Sequence, residues 1–194
     1  MIKTLRYLRH GQTVYNVAGI WQGRADSSLS ELGISQARAA GAHFAELKQP
    51  FDHVYCSPLG RAAQTLHEAL PNVGDNYATE RELIEMSFGS LDGKPIVGDL
   101  TGYETYDFSQ VGGESNAAVR SRTCRALDRI MSRPGHRNVL VVGHGSTGRL
   151  FFDEWRHNAR RNFEGSLPNC SLVTYEFDSG THMFSCIDIW MPQI

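Results

Sequence analysis

Two apolar rhythms alternate along this chain. Short apolar runs at residues 2–8, 52–56, 138–143, 171–177 and 183–190, rich in Val, Ile, Leu, Tyr and Phe, read as strands. Between them, apolar residues recur every three or four positions. Residues 30–47 put Ala37, Ala40, Phe44 and Leu47 on one face, with Ser30 as N-cap and Glu31 in the first turn. Residues 58–69 begin with Ser57 as the expected cap and Pro58 at the first helical position. Residues 115–132 align Ala117, Cys124, Leu127 and Met131, and a further helix is expected after Ser146. Strands alternating with helices predict an α/β fold: a mostly parallel central sheet covered on both sides. The last two strands follow one another directly and suit a hairpin at one edge. Residues 71–113 and 157–170 look irregular, and loops of that kind shape substrate pockets.

Length and composition narrow the class. At 194 residues, without a Pro/Gly/Ser-rich linker or an internal repeat, the chain reads as one domain spanning residues 1–194. It is 41% hydrophobic and 21% charged, as soluble globular proteins are. A formal net charge of -2 argues against nucleic acid as a partner. No apolar run approaches the ~20 residues that span a bilayer, and Met1 to Arg6 lacks the apolar core of a secretory signal. Cys56, Cys124, Cys170 and Cys186 lie far apart, as reduced and mostly buried thiols would. A cytoplasmic location is therefore expected.

The candidate chemistry sits where strands end. The first run leads into Arg9-His10-Gly11, and the third ends in Gly143-His144-Gly145. Ligands of open α/β sheets bind at that carboxyl edge. Two imidazoles with an arginine beside one of them point to an anion, and a phosphate is expected. The second run leads to Arg61 in the first turn of a helix, where a planar bidentate donor meets a helix N-terminus. Asn16 offers an amide hydrogen, and Gly11 and Gly145 let backbone N–H groups approach closely. A neutral imidazole is a competent nucleophile near pH 7 and forms a phosphohistidine. For the general acid, the loop Glu82 to Gly93 offers Glu82, Glu85 and Asp92, and spacing alone does not choose among them. His43, His53, His67, His136, His157 and His182 lack ligand-like spacing, so neither metal nor cofactor is expected.

The ordered motifs resemble a known family. Arg9-His10-Gly11-x-Thr13-x-x-Asn16 is followed by Gln22-Gly23, Asp26, Leu29 and Gly33, then by Ser57-Pro58-Leu59-x-Arg61-Ala62-x-Gln64-Thr65. Glu85-x-x-x-Gly89-x-x-x-Gly93, Gly113-Glu114-Ser115 and Gly143-His144-Gly145 complete the set, which spans residues 5 to 148. This series is similar to the signature of the histidine phosphatase superfamily, the phosphoglycerate mutase-like proteins. The resemblance implies a three-layer α/β/α sandwich with His10 as nucleophile and Glu85 as proton donor. It gives Arg9, Arg61 and His144 the phosphate, with Gly11, Thr13, Asn16, Gln22, Gly23 and Gly145 completing the pocket. Asp26 is expected to tie down the loop before the first long helix, and Glu82 to be a solvated or structural acid.

Two departures favour hydrolysis of a small phosphomonoester over a phosphoglycerate mutase. Mutases of this kind carry Arg and Tyr just after the acid, where this chain has Met86, Ser87 and Phe88. They also carry a long insertion where only Lys94 to Gly112 stands here. Trp21, Phe88, Tyr103, Tyr106 and Phe108 either line an apolar mouth or pack the loop onto the body. A non-catalytic phosphate sensor would need no general acid. Other catalytic classes fail on register. Cys56 and Arg61 are one residue too close for Cys-x5-Arg, His144 stands where a Gly-x-Ser-x-Gly elbow needs glycine, and Gly89 to Lys94 is too short for a Walker loop.

Overall fold

The computed structural model describes residues 1–47, 49–98 and 105–194. A six-stranded mixed sheet runs through it in the order β3-β2-β4-β1-β5-β6. The strands are β1 (Ile2–Arg9), β2 (His53–Cys56), β3 (Ala78–Thr79), β4 (Asn138–Gly143), β5 (Leu172–Asp178) and β6 (Met183–Trp190). The pairs β3–β2, β2–β4 and β4–β1 are parallel, whereas β5 runs antiparallel to β1 and forms the expected edge hairpin with β6. Helices α1 (Val14–Val17), α2 (Glu31–Glu46), α3 (Gly60–Ala69), α4 (Asn116–Ser132) and α5 (Gly145–Trp155) connect the strands.

Period-two geometry divides the strand side chains between two cores. Leu8, Cys56, Leu140 and Val142 face Ala40 and Phe44 of α2 and Ala62 and Leu66 of α3. Their neighbours Leu5, Tyr7, Tyr55, Val139 and Val141 face Leu127 and Ile130 of α4 and Phe151 and Phe152 of α5. Both faces of the central strands are thus buried, which is why their sequences read as continuous apolar runs. The architecture is the α/β sandwich that the alternation predicts.

Three local expectations change. Helix α3 starts at Gly60, after Leu59, and no side chain of its own N-cap bonds it. Its capping acceptor comes from elsewhere: Asp26 Oδ2 takes the Gly60 N–H at 2.5 Å. Ser57 is not the cap, because its hydroxyl is engaged with His144. On α4 the buried stripe is Val119, Thr123, Ala126, Leu127, Ile130 and Met131. Ala117 is exposed and Cys124 half-buried, so the true stripe is rotated from the expected one. Strand β3 has only two residues, too short to leave a periodic signal.

Candidate active site

Strands β1, β4 and β2 end flush, with Arg9 opposite Gly143 and Cys56 opposite Val142 in register. The next residues of β1 and β4 are His10 and His144, and their rings meet edge to face with centroids 5.3 Å apart. Beside them lies a cleft of about 230 Å³ lined by Arg9, His10, Asn16, Gln22, Gly23, Arg61, Glu85 and Gly145, among others. Sequence positions as far apart as Arg9 and Ser166 thus converge on one site.

His10 is buried, and its Nδ1 lies 2.8 Å from the Gly11 carbonyl. A carbonyl only accepts, so Nδ1 carries the proton and Nε2 keeps its lone pair. Burial, then the charges of Arg61 and Arg9, hold the His10 imidazole well below its ordinary value and therefore neutral. The backbone around it is fixed as well: His10 O accepts Cys170 N–H at 3.1 Å and the Asn169 side-chain amide at 3.2 Å.

Arg61 is only 1% exposed. Its Nη1 bonds Asp26 Oδ1 at 2.9 Å and Ala25 O at 3.0 Å, and Nη2 bonds Gly23 O at 2.7 Å. Asp26 therefore does more than tie down a loop: one carboxylate aligns the Arg61 guanidinium and caps the helix that carries it. Gly23 contributes its carbonyl to the same purpose. Arg9 is held by a hydrogen bond to Leu167 O, from the end of the irregular 157–170 stretch. Among the described residues, the buried Nε of Arg61 and Nδ1 of His144 have no hydrogen-bond partner.

The acid loop is held just as firmly. Glu85 Oε1 accepts the N–H groups of Met86 and Thr147 at 2.8 and 3.2 Å, and Oε2 accepts that of Ser146 at 3.1 Å. The Glu85 carboxylate thus caps α5, whose own N-cap, His144, provides no side-chain bond. Arg122 fastens the preceding backbone through the carbonyls of Glu82, Ile84 and Glu85, and is itself paired with Glu114. The rival acids are engaged elsewhere. Glu82 binds Arg125 and Arg129 at the surface, and despite partial burial those bonds keep it below the usual carboxylate range. Asp92 accepts from Phe88 N–H and Ser87 Oγ, bracing the loop.

The remaining expected residues divide by depth. Asn16 and Gln22 line the cleft; Thr13 lies behind them, caps α1 and donates to Gln22 Oε1 at 2.7 Å. Gly11 directs its N–H to Thr65 Oγ1 at 3.0 Å, and a Cβ there would lie 2.5 Å from Gly33 O. Its small size serves packing of β1 against α2. Trp21 and Phe88 line the cleft, and Phe108 packs beneath them with ring centroids 5.6 and 4.7 Å away. Tyr106 is exposed, and Tyr103 lies outside the described residues.

Ile20, Ile96, Ser146, Arg149 and Ser166 also line the cleft and escaped sequence reasoning. For Arg149 a signal existed: it stands four residues after Gly145 and so shares its helical face. Another missed residue is Tyr7. Its hydroxyl accepts His144 N–H at 2.9 Å, lies 2.7 Å from Thr147 Oγ1 and so braces the first turn of α5. A Cβ on Gly143 or Gly148 would stand 2.2 Å from Tyr7 Oη or 2.7 Å from its ring, so both glycines make room for this phenol.

The family model of the histidine phosphatase superfamily (branch 1) matches residues 5–188. A Hydrogenobacter thermophilus protein, provisionally named phosphoserine phosphatase 2, is 33% identical over 155 residues, 75% of each chain. A Yersinia pestis protein, provisionally named phosphoglycerate mutase GpmB, is 29% identical over 188 residues, 92% of this chain and 86% of that one. Among solved structures, a phosphoglycerate mutase from Bacillus anthracis superposes with a TM-score of 0.81 at 22% identity, over 96% of this chain and 92% of that one. A mycobacterial glucosyl-3-phosphoglycerate phosphatase with VO3 superposes with a TM-score of 0.78 at 24% identity, over 98% and 100%. This chain belongs to the histidine phosphatase superfamily, and its sandwich is the phosphoglycerate mutase-like fold. No helix of the described residues is long and apolar enough to cross a membrane.

Proposed function

We propose that this protein is a metal-independent phosphomonoesterase that works through a phosphohistidine on His10, with Glu85 as the general acid. The state of His10 carries the reading: neutral, with Nδ1–H engaged by Gly11 O and the Nε2 lone pair available as nucleophile. In this reading the phosphoryl group lies against Arg9, Arg61 and His144, with Asn16, Gln22 and Gly145 alongside. The unpartnered N–H of Arg61 supports it, since an anionic oxygen is the acceptor such a buried donor lacks.

The reaction then runs in two displacements. His10 Nε2 attacks phosphorus in line, the P–O bond to the leaving group breaks, and Glu85 gives its proton to the departing oxygen. Oε2, which accepts a single N–H, is the carboxyl oxygen with room for that proton. Water next attacks the phosphohistidine, Glu85 takes a proton from it, and inorganic phosphate leaves with Nε2 restored. Hydrolysis is favoured over mutase transfer because Met86 and Phe88, which follow the acid, are buried apolar residues. Neither offers a group to hold a substrate carboxylate. A phosphate sensor has no use for an acid loop that Arg122 and Glu114 fix so closely.

Turnover of phosphomonoesters in excess chelator tests this reading, together with acid-sensitive labelling of the quenched enzyme at His10. His10→Ala should abolish both. Activity that needs a divalent ion, or label found on Cys56 or Ser146, would overturn it.

A further inference from the structure

The hydroxyl of Ser57 is buried, 2% exposed, and lies 2.6 Å from His144 Nε2. The nearest backbone donor, Leu59 N–H, approaches Ser57 Oγ at 3.4 Å, and so adds a second proton toward that oxygen. For the Ser57 O–H itself, His144 Nε2 is the acceptor within reach. The hydroxyl therefore donates, and Nε2 holds a lone pair. Burial first, then Arg61, His10 and Arg9, keep the His144 imidazole well below its ordinary value, so the ring has one proton. That proton must sit on Nδ1, a buried atom that no group among the described residues satisfies.

We propose that Ser57 is a positioning residue that fixes the Nδ1–H tautomer of His144, so that the ring turns a neutral hydrogen-bond donor toward the phosphoryl group. This rests on the phosphatase reading for its use, though not for its geometry. The opposite tautomer would put Nε2–H against the hydroxyl, strand the Ser57 O–H, and aim a bare lone pair at the phosphate oxygens. The His144 backbone is fixed by its place after β4 and by the Tyr7 hydroxyl, which accepts its main-chain N–H, and Ser57 holds the ring. Carriage of Ser57 past the end of β2 places its hydroxyl beside β4, as the pairing of Cys56 with Val142 requires.

Long-range ¹H–¹⁵N NMR reads the tautomer directly in the intact protein, with the His144 signals assigned by their loss in His144→Gln. The wild type should show a pyrrole-type Nδ1 and a pyridine-type Nε2. Ser57→Ala should move the ring toward the Nε2–H tautomer and lower kcat on phosphomonoesters about 10–100-fold, as removal of such an orienting partner does. Ser57→Thr, which keeps the hydroxyl, should restore both the tautomer and most of the rate. A pyrrole-type Nε2 in the wild type would overturn the proposal, as would a wild-type tautomer retained in Ser57→Ala. Should Ser57→Ala fail to fold, the wild-type spectrum and the Ser57→Thr spectrum still decide. If no phosphomonoester is turned over at all, the phosphatase reading falls, while the spectra judge the tautomer separately.

Discussion

Glu85 caps α5 in this structure, the proposed function adds the role of acid, and substitution separates the two. Glu85→Gln keeps an amide oxygen for the helix N–H groups but has no proton to give. General acid catalysis matters most when the leaving alkoxide is poor. The variant should therefore slow hydrolysis of alkyl phosphates by roughly 10²–10⁴, about 3–5 kcal/mol of barrier, and that of p-nitrophenyl phosphate far less. Steady-state rates on the two substrates check this. Equal losses on both would reduce Glu85 to its capping role, and the same dependence in Glu82→Gln would reassign the acid. Glu82→Gln should instead touch only the surface pairs with Arg125 and Arg129.

The start of α5 joins most of the machinery, because His144, Gly145 and the Glu85 contacts all hang on its first turn. Gly148→Ala would put a Cβ 2.7 Å from the Tyr7 ring, deep in a packed core. Overpacking of that kind costs about 1–3 kcal/mol. The measurement is the urea midpoint, with kcat falling alongside as the helix start shifts away from His10. A variant as stable and active as wild type would mean that Tyr7 yields easily. Strands were legible in the sequence because both faces of β1, β2 and β4 are buried, leaving dense apolar runs. The core of the site was legible because its histidines and arginines sit at strand ends or on the first turn of a helix. Ser57 was misread because its side chain answers a partner 87 residues away, and no local signal competes with the Ser-Pro cap pattern. Ser166 and Ile96 reach the cleft from different loops, so only the assembled fold brings them together.

Three buried imidazoles held below their ordinary value give the entire fold an acid sensitivity. Once unfolded, His10, His136 and His144 take up protons as pH falls through about 6.5, whereas in the native state they resist until lower pH. Stability is thus full above that value and falls as pH drops below it, by up to about 1.4 kcal/mol per pH unit for each ring. The carboxylates held low, Asp52, Glu82, Glu114 and Asp178, act in a separate and more acidic window. Urea midpoints measured between about pH 7.5 and 5 should decline, and His10→Asn should flatten the decline. A flat profile in the wild type would contradict the buried neutral state. Strand β1 also has a consequence for synthesis. It leads directly into His10, the proposed nucleophile, and its two neighbours in the sheet are β4 and β5, made far later. At 5–20 residues per second the ribosome takes on the order of 10–30 s between the two ends of that pairing. During this interval both edges of β1 lack their strand partners, although Leu8 can already meet the apolar faces of α2 and α3. Stalled chains ending after β4 should remain open to protease, and resistance should arrive only once β5 has left the exit tunnel. The site would then be assembled abruptly, since β1 is enclosed only when strands made much later pair along both of its edges.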